Sequence, residues 1–225
     1  MSRNTKDEIT RIARNLFARY GYDGVSTRML ADEAGISVAT LNYHIGSKAA
    51  LYEAVFRDAF VHEEALIIQF CAGIEDRTVA EPVALREALC DLVADHITLL
   101  NRYQEAPRLW LQRWLAEPDA AIARIDVDFG RGLYRAVRDV LVRAQRAGTV
   151  ADDLDMRHFL LSVTWMEYGF FSGGSLGTVG RSGPLTPTAD DLAQFTAHLQ
   201  RYVCRMLGLP ERSMAPTSRR GTGPR

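Results

Sequence analysis

The sequence predicts an all-α protein. Three observations carry that reading. Apolar residues recur at three- and four-residue spacing along nearly the whole chain. No segment alternates apolar and polar as a half-buried strand would, and neither a repeat period nor a glycine-rich phosphate loop is present. At 225 residues, 47% hydrophobic and 24% charged, the chain is long and apolar enough to bury a sizeable core.

In chain order, Met1 to Asn4 is a short polar arm. Thr5-Lys6-Asp7-Glu8 has the form of a capping box. The helix it opens places Ile9, Ile12, Ala13, Leu16, Phe17 and Tyr20 on one face and ends at the turn residues Gly21-Tyr22-Asp23-Gly24. Thr27 to Ala34 reads as a second helix, with Met29, Leu30 and Ala34 inward and Arg28, Asp32 and Glu33 in water. Gly35 breaks it in a left-handed cap, Ile36 turns to the core, and Ser37 is an N-cap for a third helix, Val38 to His44. Leu41 and Ile45 are spaced to pack inward, which leaves Thr40, Asn42, Tyr43 and His44 pointing elsewhere. So short and polar a helix contributes little as core; it suits insertion into a DNA major groove. Lys48 follows at a helix N-terminus, where an ammonium and free N–H groups can meet one phosphate.

From Ser47 a long helix runs past Ile67 to about Cys71, with Leu51, Tyr52, Val55, Phe56, Ala59 and Phe60 inward. Gly73 and Glu75-Asp76-Arg77 form the first break. Pro82 suits the first turn of the next helix, which shows Leu85, Leu89, Leu92, Val93, His96, Leu99 and Leu100 and reaches about Tyr103. Pro107 opens a short helix with Leu109, Trp110, Trp114 and Leu115, closed near Glu117-Pro118. A helix from about Ala120 to Ala147 is marked by Ile122, Ile125, Phe129, Leu133, Val137, Val140 and Leu141, and capped by Gly148.

Two helices finish the fold. One carries Phe159, Val163, Met166 and Phe170, the other Leu192, Phe195, Leu199, Tyr202 and Met206. Each has a second apolar flank, Leu160 and Phe171 on the first and Val203 and Leu207 on the second, that can pack on its own subunit, so the nine residues of the two main stripes, Phe159 to Phe170 and Leu192 to Met206, are the expected face for pairing with a second copy. The segment between, Ser172 to Pro187, reads as a flexible Gly/Ser loop, and residues 211–225 as a disordered tail.

From Thr27 to Leu51 the chain resembles the TetR/AcrR family of transcriptional regulators. The residues that carry the resemblance are Thr27, Leu30-Ala31, Ala34-Gly35-Ile36-Ser37, Thr40-Leu41, His44-Ile45, Ser47-Lys48 and Leu51. Asn42 stands where the family most often has Tyr, and Ile45 where it usually has Phe. The resemblance implies a helix-turn-helix domain over residues 1–50, joined by the long helix to a helical effector-binding and dimerisation domain over 51–210. The DNA-binding candidates are Thr27, Arg28, Ser37, Val38, Thr40, Asn42, Tyr43, His44 and Lys48, with Thr40 and Asn42 on bases and Thr27, Tyr43, His44 and Lys48 on phosphates. Arg3 and Lys6 are candidate backbone contacts. The resemblance also implies a C-terminal pocket for a small-molecule effector. The amphipathic residues placed to line it are His96, Tyr103, Trp110, Trp114, Phe129, Trp165 and Tyr168, with Arg113 and Glu167 beside them. Glu167 within an apolar helix needs a partner, in the ligand or across the dimer interface.

Charge neither demands nor opposes this reading. The net is −1, and up to Lys48 seven basic residues stand against five acidic. Cys71, Cys90 and Cys204 are odd in number and far apart in sequence, as expected of small core residues in a reducing cytoplasm. No signal peptide or apolar membrane span is read. His62-Glu63-Glu64 lacks the second His of a zinc-protease motif, and neither G-x-S-x-G nor a zinc-deaminase signature occurs. The chain is therefore expected to be no enzyme, to need no cofactor, and to act as a homodimeric repressor on a palindromic double-stranded DNA operator. The rival expectation is a helical DNA-binding protein that is architectural or controlled by a protein partner, with no small effector.

Overall fold

The computed structural model describes residues 2–116, 122–125, 130–173 and 187–210, with the backbone alone for 2–4. Among these residues the protein is helical, and no strand is formed. The helices are α1 (Ser2–Tyr20), α2 (Thr27–Glu33), α3 (Val38–Ile45), α4 (Lys48–Gly73), α5 (Asp76–Ala80), α6 (Pro82–Arg102), α7 (Glu105–Leu115), α8 (Arg131–Arg146), α9 (Met156–Gly173) and α10 (Ala189–Leu207).

Helices α1 to α3 and the start of α4 form a small head around Phe17, Leu30, Leu41, Leu51 and Tyr52, all nearly or fully buried. The turn between α2 and α3 needs Gly35, whose φ of +65° lies where a side chain is strained. Serines cap three consecutive helix starts: Ser26, Ser37 and Ser47 accept the backbone N–H of Met29, Thr40 and Ala50. At 26 residues, α4 is about 39 Å long. Its first half packs in the head and its second half against α6 and α8, while α1 lies against both α4 and α7. The buried apolar residues form one continuous core from Ile9 to Leu209, so the two expected domains share their packing.

Several expectations shift. The helix of Thr5-Lys6-Asp7-Glu8 starts three residues earlier, so no capping box forms there, and Glu8 pairs with Arg11 instead. Tyr20 and Met29 are exposed: each sits at the edge of its apolar stripe, where a long side chain can reach water. Glu75-Asp76-Arg77, read as a break, leads into the short α5, whose Val79 is buried. Helix α7 starts two residues before Pro107, which its first turn tolerates because that N–H has no intrahelical partner. Leu115 at its end is exposed. Of the helix expected from Ala120, Arg131–Arg146 is seen, and Ile122 and Ile125 are buried. Phe129, most of the 172–187 loop and the 211–225 tail lie outside the described residues. Cys90 and Cys204, distant in sequence, meet with sulfurs 3.8 Å apart as free thiols between α6 and α10.

Among the nine residues assigned to pairing, Phe159 and Leu199 are buried within their own subunit and present no face to a partner. Phe159 stacks near Tyr202, and Phe170 stacks on Phe195 at 4.0 Å between ring centres. Val163 borders an internal cavity. Met166, Phe170, Leu192, Phe195 and Tyr202 are half-buried, and Met206 is 40% exposed.

Candidate nucleic-acid interface and internal cavity

Helix α3 is anchored by Leu41 and Ile45, both buried, and turns its other side to solvent. Val38, Thr40, Asn42 and Tyr43 are exposed, Tyr43 at 86%. Tyr43 meets the ring of the adjacent His44 edge-on, 5.4 Å between centres. Arg28 on α2 is exposed, while Thr27 and His44 are half-buried. Ser37 is occupied as the cap: its Oγ accepts the Thr40 N–H at 3.1 Å and shares a hydrogen bond of 2.8 Å with the Thr40 hydroxyl. That pairing fixes the Thr40 rotamer.

Lys48 departs most from expectation. Its ammonium donates to the carbonyls of Tyr22 and Val25 at 3.0 and 3.1 Å and sits 4.0 Å from the centre of the Tyr22 ring. The turn after α1 exposes two carbonyls that no helix satisfies, and a cation three residues past Ile45 is placed to take them. Lys48 is thus a clamp joining α4 to the α1–α2 turn.

The second site is a cavity of about 550 Å³ among α4, α6, α7, α8 and α9. Of the residues expected there, His96, Trp110, Trp114 and Tyr168 line it, with Glu167. Trp165 does not: it is 44% exposed and touches Trp114 from outside. Tyr103 stacks on His62 at 4.7 Å, away from the cavity. Arg113 is buried but not on the wall. At the start of α8 the backbone passes so close to Trp110 that a side chain at Gly130 would sit 3.1 Å from the ring.

The deep end of the cavity is polar. His96 bridges two carboxylates, Nδ1 to Glu167 at 3.1 Å and Nε2 to Glu63 at 3.3 Å, and the Tyr168 hydroxyl donates to Glu63 at 3.2 Å. Burial alone would lower the imidazole pKa, but the Glu167 and Glu63 carboxylates outweigh it and hold the group well above the ordinary histidine range. Burial, with the same carboxylates, pushes the Tyr168 phenol up, so it stays a neutral donor. The partner that Glu167 required is thus His96 of the same chain. In the sequence Glu63 shows only as the middle of His62-Glu63-Glu64, which lacks the second His of a zinc motif. Its spacing from Phe56, Phe60 and Ile67 on the inward face of α4 was the available signal. The α8 wall, with Tyr134 and Arg131, Arg135 and Arg138, was also missed.

An aromatic succession links the two sites. Tyr22 and Phe17 meet Tyr52; Tyr52 meets Phe56; Phe56 meets Trp110; Trp110 meets Trp114; and Trp114 stacks on Tyr168, each with ring centres 4.8 to 5.8 Å apart. It begins under the Lys48 clamp and ends beside Glu63.

Comparison with known proteins agrees with this anatomy. Residues 9–55 match the family described as bacterial regulatory proteins, tetR family. The chain is 31% identical over 150 residues to the HTH-type transcriptional repressor Rv1474c of Mycobacterium tuberculosis, covering 63% of this chain and 67% of that one. Two solved structures share the fold. AibR, in complex with isovaleryl coenzyme A and operator DNA, has a TM-score of 0.66 at 18% identity over 92% of this chain and 100% of that one. The ketosteroid transcriptional regulator KstR2 of Mycobacterium tuberculosis has a TM-score of 0.60 at 20% identity, over 92% and 95%. Among the described residues no helix is long and apolar enough to cross a membrane. With a capped reading helix exposed at one end and a matching repressor over two thirds of its length, the chain belongs to the tetR family of bacterial regulatory proteins and is a DNA-binding transcriptional repressor.

Proposed function

We propose that the protein binds a palindromic operator as a homodimer and releases it when a small molecule fills the cavity. The observation that carries this reading is that one helix serves both sites: α4 starts with Lys48 beside α3 and carries Phe60, Glu63 and Ile67 on the cavity wall. Glu63 lies fifteen residues beyond Lys48, about 22 Å along the axis. A ligand that displaces Glu63 or its neighbours tilts the helix on which the head is mounted. Two heads must stand about 34–36 Å apart to enter successive major grooves on one face of DNA, so a tilt costs affinity. AibR, which shares the fold, has been seen with both an acyl coenzyme A and operator DNA, which supports the two-site reading.

At the DNA, Asn42 and Thr40 read bases, while Arg28, Thr27, Tyr43 and His44 hold the backbone. Pairing of subunits uses the exposed parts of α9 and α10, around Met206 and the half-buried Phe195 and Tyr202.

The test is an operator titration with and without a ligand carried through purification. Occupancy is read from Trp110 and Trp114 fluorescence and DNA affinity by gel shift. Ligand and DNA should weaken each other by the same factor, typically about 1–3 kcal/mol. A ligand that binds and leaves operator affinity unchanged would remove the switch. Asn42→Ala should relax preference at one base pair by about 1–3 kcal/mol, and Phe195→Glu should sediment as a monomer with weak operator binding.

A further inference from the structure

We propose that the effector is an amphipathic anion, held with its apolar end toward the Glu63–His96–Glu167 cluster and its anionic head on the guanidinium groups of Arg131 and Arg135. This rests on reading the cavity as the effector site and adds the effector's chemical class and orientation.

The cavity wall carries acidic groups on α4 and α9 and basic groups on α8. At the deep end the carboxyl groups of Glu63 and Glu167 flank the single imidazole of His96, two acids to one base. Glu63, His96 and Glu167 are all nearly buried, with side chains 14%, 12% and 5% exposed. On the α8 wall Arg131 and Arg135, one turn apart, are exposed, and Arg138 follows three residues on. Arg138 is paired with Asp139; Arg131 and Arg135 pair with no carboxylate among the described residues. Two like charges at this helical spacing repel each other by a few tenths of a kcal/mol, about what an opposite-charge pair gains. An anion bridging them reverses the sign.

Between these ends the wall is apolar, formed by Trp110, Trp114, Leu133, Val137 and Leu160. A carboxylate or phosphate pushed to the deep end would face Glu63 and Glu167 where water screens little. A cationic head is welcome at the deep end, but its apolar tail would then lie against the arginines and leave them uncompensated. An anion with its head at Arg131 and Arg135 compensates the guanidinium groups and leaves the cluster to its internal pairing through His96. A hydroxyl at the tip of its apolar part would find acceptor oxygens on the cluster. The volume suits a medium-length chain or a small ring system.

The experiment uses the full chain and three probes with the same decyl chain: decyl phosphate, decanol and decyltrimethylammonium. Each is titrated below its micelle concentration with tryptophan quenching as readout. Decyl phosphate should bind about tenfold or more tighter than the ammonium probe. The Arg131→Gln/Arg135→Gln double variant should lose about tenfold for the phosphate and keep decanol affinity. Its melting temperature should match wild type, since both side chains are exposed. An ammonium probe that binds as well as the phosphate, a phosphate affinity indifferent to the two arginines, or no binding by any probe overturns the proposal. Arginine-dependent phosphate binding with unchanged operator affinity keeps the ligand class and sinks the switch. Operator release by another compound, without phosphate binding, does the reverse.

Discussion

The reading head and the cavity domain share one apolar core but treat polar groups in opposite ways. Among the described residues of α1 to α3 no charged side chain is buried; the buried polar residues, Arg86, Arg113, Thr149 and Glu167, all lie beyond α4. The head closes on aromatic and aliphatic side chains, and the ammonium of Lys48 stitches its turn. The cavity domain keeps a void and a buried ionised cluster, each costly unless its surroundings hold it in place. Packing of the first kind has few alternative arrangements. The second kind leaves room for others, and under the proposed switch a ligand would select among them.

The largest expected effect tests whether the two regions are separable at all. Phe56 is fully buried at their junction, touching Tyr52, Phe60 and Trp110. Phe56→Ala should cost about 3–5 kcal/mol. Urea curves followed by tryptophan fluorescence and by far-ultraviolet circular dichroism should shift together, since all three tryptophans lie in the cavity domain. A fluorescence transition that moves alone would make the head an independent unit.

His96→Leu comes next and is confined to the cavity domain. It leaves Glu63 and Glu167 facing each other without a cation, a loss of about 3 kcal/mol. Because the imidazole pKa is raised in the folded state, its contribution to stability is complete below the ordinary histidine value near 6.5. It fades as pH rises through the higher folded value. The wild-type melting temperature should therefore fall across that alkaline window, and the His96→Leu profile should be flatter. Equal slopes in the two proteins would mean that His96 is not charged in the folded state.

Lys48→Met sharpens the contrast from the head side. Losing two charge-assisted bonds to the Tyr22 and Val25 carbonyls should cost about 2 kcal/mol, with faster hydrogen exchange in α2 and α3 and little change in the cavity domain. The smallest effect belongs to Ser37→Ala, about 1 kcal/mol from the lost cap. Operator affinity should drop while ligand affinity holds. A ligand affinity that falls in step with Ser37→Ala would tie the two regions more closely than their packing suggests.

The head was legible because its signals are local. Caps, a glycine at positive φ and apolar pairs one turn apart determine α2 and α3 within a few residues of themselves. Even there, the Lys48 assignment stopped at what a helix N-terminus offers, because the carbonyls that take its ammonium lie more than twenty residues upstream. The cavity was legible only in part. His96, Trp110, Trp114, Tyr168 and Glu167 stood out as amphipathic residues on apolar faces, but which of them converge depends on how five helices cross. Trp165 and Tyr103 had the same local signature and face elsewhere. The arginines of α8 gave no signal, since a basic helix edge is ordinary until its neighbours are known. The meeting of Cys90 with Cys204 is likewise a property of the packing of α6 on α10.

The seating of α1 against both α4 and α7 has a mechanical consequence. A body held at one place can turn in any direction; held at two, it keeps rotation about the line that joins them. Gly21, at the end of α1, lies so close to Gln112 of α7 that a side chain there would come within 3.1 Å of the amide oxygen, and Arg14 is tied to Asp58 of α4 at 2.9 Å. Under the proposed switch, these two bearings would set the direction in which the head swings, whatever the shape of the ligand that enters the cavity.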